Sequence, residues 1–156
     1  MELVIAGAAV VRQSWLLVAL RTNPQAVAGR WELPGDEVRE NESEQSALER
    51  EFTTEFGMSL NCVDRILSDR VVLSWPTGDG ETTSATLRVY RCQLPTGATF
   101  DPSMGEPRPS MSQYEASRWV HLDDLDSVSP WRDADRMFAG EIADYYYGDS
   151  TWQQAD

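Results

Sequence analysis

Lysine is absent from this 156-residue chain: all 13 basic residues are arginine, against 26 aspartates and glutamates, for a formal net charge of −13. Binding to polyanions rests on basic side chains that neutralise phosphates, so neither a nucleic-acid polymer nor an anionic membrane is expected as a partner. Cysteine occurs only at Cys62 and Cys92. Two such distant residues make neither a disulfide framework nor a zinc signature and read as buried apolar fillers in a reducing compartment. The single histidine, His121, follows a strand without an obvious partner and is given no catalytic role. No apolar run is long enough to span a bilayer. The run Leu3 to Val11 has no basic residue before it and a second apolar segment straight after it, unlike a secretory leader, and a cytoplasmic location is expected. Glycine-rich phosphate loops are missing too: there is neither Gly-x-Gly-x-x-Gly nor Gly-Lys-Ser/Thr.

What is present fits one compact domain over residues 1–156, with 41% hydrophobic and 25% charged residues. Leu3 to Val11 and Trp15 to Leu20 are β-rich and joined by a hairpin-length connection. Trp31-Glu32-Leu33 is a short extended piece stopped by Pro34-Gly35, with a loop expected from there to about Asn41. Ser43 can cap a helix over about 44–56 that Gly57 ends, with Leu48, Phe52 and Phe56 as its buried stripe. Leu60 to Trp75 and Thr83 to Leu94 read as strand segments around a loop at Pro76 to Gly80, and Glu115 to Val120 as one more strand. Pro95 to Ser110 carries four of the eight prolines and reads as a surface loop. Asp133 to Tyr147 has helical spacing, and its Tyr145-Tyr146-Tyr147 cluster reads as packing or as the interface of a homodimer. Strands, a helix, more strands and a final helix predict an α+β fold with a mixed sheet.

Chemistry concentrates on the first helix. Glu51 and Glu55 are four residues apart, so both carboxylates leave one face, expected on the shoulder beside the buried stripe. A hard divalent cation would turn their repulsion into attraction and would supply the positive charge a small phosphorylated ligand needs. Taken alone, the pair reads equally as a solvated acidic face. Arg21, at the end of the second strand, reads as a phosphate contact or as a solvated arginine. Trp31 reads as lining for a base pocket or as core. Asp135 reads as a helix N-terminal charge.

The residues around the glutamates form a longer pattern: Trp31-Glu32-Leu33-Pro34-Gly35, then Glu42, then Arg50-Glu51-Phe52-Thr53-Thr54-Glu55-Phe56-Gly57-Met58. This resembles the signature of the Nudix hydrolases, with Glu42, Arg50, Glu51, Glu55 and Gly57 at the correct spacing over about 35–58. Further stretches from Val4 to Phe138, among them Ile5-Ala6-Gly7-Ala8, Val89-Tyr90-Arg91 and Ala134-Asp135-Arg136, look like the MutT-like branch. A segment of about 95–104 looks inserted. The resemblance implies an α/β/α sandwich and Mg²⁺, with Mn²⁺ as the alternative ion. It makes Glu51, Glu55 and the Gly35 carbonyl metal ligands, has Arg50 and Glu42 brace them, and makes Asp135 a base-recognising acceptor. It also implies a small nucleotide substrate, a CTP, dCTP or oxidised-dGTP triphosphate, cleaved to nucleoside monophosphate and pyrophosphate.

Several positions depart from the pattern. Asp36 stands where the box opens on glycine, followed by Glu37; Glu40-Asn41 replaces Pro-Gly, Thr54 replaces a glutamate, and Gln113-Tyr114 replaces a Glu-His pair. These changes keep two alternatives open: a hydrolase of another nucleoside diphosphate derivative such as a nucleotide sugar, and a Nudix fold that binds nucleotide or protein without turnover.

Overall fold

The computed structural model describes residues 3–22, 28–77, 79–95, 109–110 and 113–148. Strands β1 (Leu3–Arg12) and β2 (Trp15–Arg21) form the expected hairpin, followed by β3 (Trp31–Glu32) and β4 (Gly35–Glu37). Helix α1 covers Glu44–Phe56, then come β5 (Asn61–Arg65), β6 (Arg70–Pro76), β7 (Thr82–Gln93) and β8 (Tyr114–His121). A 3-10 helix at Leu122–Ser127 leads into α2 (Asp133–Gly148). The sheet runs β3-β2-β1-β7-β5, with β4 on β1, β6 on β7 and β8 on β2. It is mixed, because β1 and β7 are parallel while the other pairs are antiparallel.

The apolar runs of β1 and β2 alternate between two separate cores. Ile5, Ala9, Val11, Leu16 and Val18 face one cluster with Phe138, Ile142 and Tyr146 of α2. Ala6, Ala8, Val10, Leu17 and Ala19 face the other, with Leu48, Phe52 and Phe56 of α1. Strands buried on both faces read as continuous hydrophobic runs, and here a helix covers each face, as the expected α/β/α sandwich requires.

Helix α1 matches the reading from caps. The Ser43 side chain accepts from the Ser46 amide, and Gly57 ends the helix at φ 65°. Three elements differ from expectation. The stretch after Pro34 is not all loop: β4 pairs with β1 through Gly7↔Gly35, a register set by backbone approach and silent in hydrophobic pattern. Leu60 to Trp75 is two strands, β5 and β6, each paired to a different stretch of β7. His121 does have partners, since its Nδ1 accepts from the Asp123 amide and caps the 3-10 helix, while its ring meets Trp15 edge-on. In the tyrosine cluster, Tyr146 is in the core and the Tyr147 hydroxyl donates to Asp123, 2.7 Å away. The loop read at Pro95 to Ser110, with the insertion within it, lies almost wholly outside the described residues.

Candidate active site

The pairing of β4 with β1 sets the site's floor. A Cβ on Gly35 would lie 2.1 Å from the Ala6 carbonyl oxygen, so only glycine lets the two backbones approach here. Tyr114 of β8, fully buried, sits against the same residue: its hydroxyl accepts from the Gly35 amide at 3.1 Å and lies 3.2 Å from the Gly35 carbonyl oxygen. A carbonyl has two lone pairs, so the Gly35 oxygen can meet this hydroxyl and still receive a cation.

Helix α1 packs over this floor, and its carboxylates are deeper than the shoulder expected for them: Glu51 and Glu55 are each 1% exposed. Glu51 Oε1 is buried without a hydrogen-bond partner. Burial, then the charges of Asp36 and Glu55, push the Glu51 carboxyl up to about 9. Buried ionised groups demand a partner, and a carboxylate in this setting must either hold a proton or face a cation. Glu55 Oε1 accepts from the Gln113 backbone amide at 3.0 Å. Among the described residues, no three His, Cys, Asp or Glu side chains converge as a closed cage. Mg²⁺ keeps several waters and is commonly held by one or two carboxylates plus substrate phosphates. A hard cation beside Glu51 would supply the partner that its buried oxygen lacks.

Arg50 braces the loop in front. Its Nε and Nη2 donate to the two Glu42 carboxylate oxygens at 2.8 and 3.0 Å, Nη1 to Asp36 at 3.0 Å, and Nη2 to the Glu37 carbonyl at 3.0 Å. These bonds hold Glu42 down at about 2. The departure Asp36 is thus an ion-pair partner of Arg50 and joins the bracing expected of Arg50 and Glu42. Gln113 and Tyr114 are likewise built in, one bound to Glu55 and the other to Gly35.

A cavity of about 350 Å³ opens beside Gly35, Asp36 and Glu37 and runs past Arg21, Glu32, Arg132 and Trp75 to Asp135. That volume lies within the range of small-molecule sites. Glu51 and Glu55 do not line it; Asp36 and Arg21 do, and the charges of both reach Glu51. Arg21 is buried rather than solvated: its Nε and Nη2 donate to Glu32 at 2.9 and 2.7 Å and Nη1 to Gln113 at 3.1 Å. Arg132 donates to the same carboxylate at 3.0 Å and lies 3.6 Å from the centre of the Trp75 ring. Burial alone would raise Glu32, but Arg21 and then Arg132 outweigh it and hold the carboxyl below its usual value.

Asp135, in the first turn of α2, is 7% exposed, and its Oδ1 accepts from the Leu33 amide at 3.0 Å. Burial and then the Glu32 charge push it up to about 7. Trp31 is not brought to the cavity; it packs on the α2-side core under Arg118, 5.0 Å from its ring centre, and Trp75 supplies the cavity's aromatic wall instead. Sequence reasoning missed Glu32, Arg132, Tyr114 and Trp75 as members of the site. A signal existed for Glu32 alone, as a charge set between apolar neighbours in a strand implies a buried partner.

A family model for the NUDIX domain matches residues 2–140. A candidate 8-oxo-dGTP diphosphatase 2 of Mycobacterium tuberculosis (strain CDC 1551 / Oshkosh) is 38% identical over 144 residues, covering 91% of this chain and 88% of that protein. The crystal structure of a MutT NUDIX hydrolase from Burkholderia pseudomallei superposes with a TM-score of 0.67 at 30% identity, covering 91% of this chain and 98% of that one. A NUDIX hydrolase from Nitrosomonas europaea shares the fold at a TM-score of 0.69 and 19% identity, over 95% of this chain and 90% of the other.

Proposed function

Because the chain belongs to the NUDIX family, as a MutT-like pyrophosphohydrolase, we propose that it is a Mg²⁺-dependent nucleoside triphosphate pyrophosphohydrolase whose substrate is an oxidised purine deoxynucleotide of the 8-oxo-dGTP type. The carrying observation is the buried, unpartnered Glu51 oxygen beside Glu55 and Asp36, next to a cavity of nucleotide-base size. The identity of the base is supported by the Mycobacterium tuberculosis relative's name and by Asp135 at the cavity wall.

Glu51, Glu55 and the Gly35 carbonyl are the groups that would hold the ion. When bound, Mg²⁺ supplies charge neutralisation on the phosphates and a more acidic water. The chain itself does the positioning. Arg50 fixes Asp36, the Glu37 carbonyl and Glu42 as one unit, so the loop cannot drift from the helix. Arg21 and Arg132 fix Glu32, and Tyr114 holds Gly35. Asp135 keeps its Oδ2 for the base, where a carboxylate accepts from the N–H edge of an oxidised guanine. No residue need form a covalent intermediate, since positioning and electrostatics carry such a displacement. Water attack then yields the nucleoside monophosphate and pyrophosphate.

The test is a panel of 8-oxo-dGTP, dGTP, CTP, dCTP and a nucleotide sugar with Mg²⁺, Mn²⁺ or EDTA, with release of monophosphate and pyrophosphate followed. The proposal expects 8-oxo-dGTP to have the highest kcat/KM, with turnover lost in EDTA. Faster cleavage of CTP or of the nucleotide sugar overturns the substrate. A rise in melting temperature with nucleotide but no product overturns the hydrolytic reading in favour of a binding module.

A further inference from the structure

Cys62 and Cys92, far apart in the chain, stand directly opposite each other on the antiparallel pair β5–β7. Opposed residues in such a pair have Cα atoms about 4.5–5.5 Å apart, inside the range a disulfide spans. Their sulfurs are 3.4 Å apart, and both are free thiols. We propose that Cys62 and Cys92 form a reversible intramolecular disulfide when the protein meets a hydroperoxide, pinning edge strand β5 to β7 beneath helix α1.

The surroundings assign each sulfur a part. Cys62 is partly exposed on the last strand of the sheet, with its Sγ 3.9 Å from the Gln45 carbonyl in the first turn of α1. Cys92 is 1% exposed in the core beneath α1. A peroxide therefore reaches Cys62 first. The Cys62 thiolate attacks the distal peroxide oxygen, the O–O bond breaks, an alcohol or water leaves, and Cys62 becomes a sulfenic acid. The Cys92 sulfur then attacks Cys62 Sγ, the S–O bond breaks, the Cys92 proton goes to the leaving oxygen, and water departs. One peroxide is reduced and two thiols are oxidised. The neighbouring Cys62 and burial hold the Cys92 thiol above its usual range, which keeps it protonated until its partner is activated. The β5–β7 register slips between Cys62 and Asp64, so β5 has slack to bring the sulfurs to a bond length of about 2.05 Å.

The experiment uses the full-length, reduced, desalted chain. After a small excess of hydrogen peroxide, thiols are counted under denaturing conditions, the linkage is mapped by peptide mass spectrometry, and melting temperature is recorded. The expected result is a monomer in which both thiols are lost, the Cys62 and Cys92 peptides are joined with a mass loss of about 2 Da, and dithiothreitol restores both thiols. The melting temperature of the oxidised form should rise by roughly 7–15 °C, as expected for a loop of this length in a domain of this size. Cys62→Ser should show neither the linkage nor the rise. In Cys92→Ala, Cys62 should stop at a sulfenic acid that dimedone traps; if that variant fails to fold, the wild-type and Cys62→Ser comparison decides alone. Survival of both thiols, over-oxidation of Cys62 with Cys92 still free, or a link between two chains overturns the proposal.

Discussion

At the scale of single residues, Glu51 carries two opposed consequences. Its carboxyl has a folded-state value of about 9 against an ordinary 4.5, so between those limits the unfolded chain releases a proton that the ion-free native state retains. Stability then falls as pH rises through that window, by ~1.4 kcal/mol per pH unit, or about 3 kcal/mol at neutrality. Glu51→Gln removes the penalty, because its amide can donate to Asp36. In EDTA the variant should melt higher than wild type near neutral pH and no differently near pH 4, while Mg²⁺-dependent turnover is lost. A variant that melts lower at neutral pH, or that still turns over, removes Glu51 from this role. Gly35→Ala acts through sterics instead: its methyl meets the Ala6 carbonyl oxygen at 2.1 Å with only backbone to give way. A destabilisation of at least ~3 kcal/mol in urea unfolding is expected. Asp135 ionises near neutrality, and its ionised form is the stronger acceptor. KM for the oxidised substrate should fall as pH rises through about 7, and Asp135→Asn should flatten that profile; a profile unchanged in the variant excludes Asp135 from base contact.

At the scale of elements, what was legible in the sequence followed from caps and periods. Helix α1 was readable to its ends because Ser43 and Gly57 are local signals and Leu48, Phe52 and Phe56 repeat with the helix. Strand β4 was not, since its three residues carry no apolar pattern and pair only because Gly35 admits the β1 backbone. The glutamates and the Arg50–Glu42 brace were legible as spacing, but the depth of Glu51 was not, because β1 and β4 behind the helix decide it. Arg132 and Trp75 are distant in sequence and meet through a β6 irregularity between Val72 and Trp75, which no window of sequence reveals.

Arg50 holds its three partners with a planar fork that lysine cannot reproduce. Arg50→Lys should therefore lower kcat by about 10²-fold through misplacement of the loop, with the melting temperature changed little because lysine keeps the positive charge beside Glu42 and Asp36. Equal kcat in the two proteins would make the brace irrelevant to turnover. The hairpin is separable from the site. Gln13 and Ser14 both adopt left-handed backbone, at φ 51° and 70°, where a side chain costs about 1 kcal/mol or more. Relief of that strain makes this turn, rather than the site, the place where stability can rise without a change in chemistry.

At the scale of the whole molecule, the charge works against the substrate. The chain carries −13, and the cavity is lined by Arg21, Arg88 and Arg132 against Glu32, Asp36, Glu37 and Asp135. None of the three arginines is spare: Arg21 and Arg132 are bound to Glu32, and Arg88 to Glu44 and Asp69. The triphosphate proposed as substrate would therefore approach an excess of like charge, and under that proposal its attraction comes from the cation it brings. Most enzymes of polyanionic substrates attract them through basic surfaces and weaken as salt screens the field. Here screening should relieve repulsion: at saturating Mg²⁺, raising ionic strength from about 0.02 to about 0.2 M shortens the Debye length from roughly 20 Å to under 10 Å. KM should fall over that range with kcat unchanged, when measured with an inert monovalent salt. A KM that rises with salt means that an arginine is released from its carboxylate partner to meet the phosphates, and Arg88, whose partners are the most exposed of the three sets, is the one whose replacement by glutamine should then abolish the salt dependence.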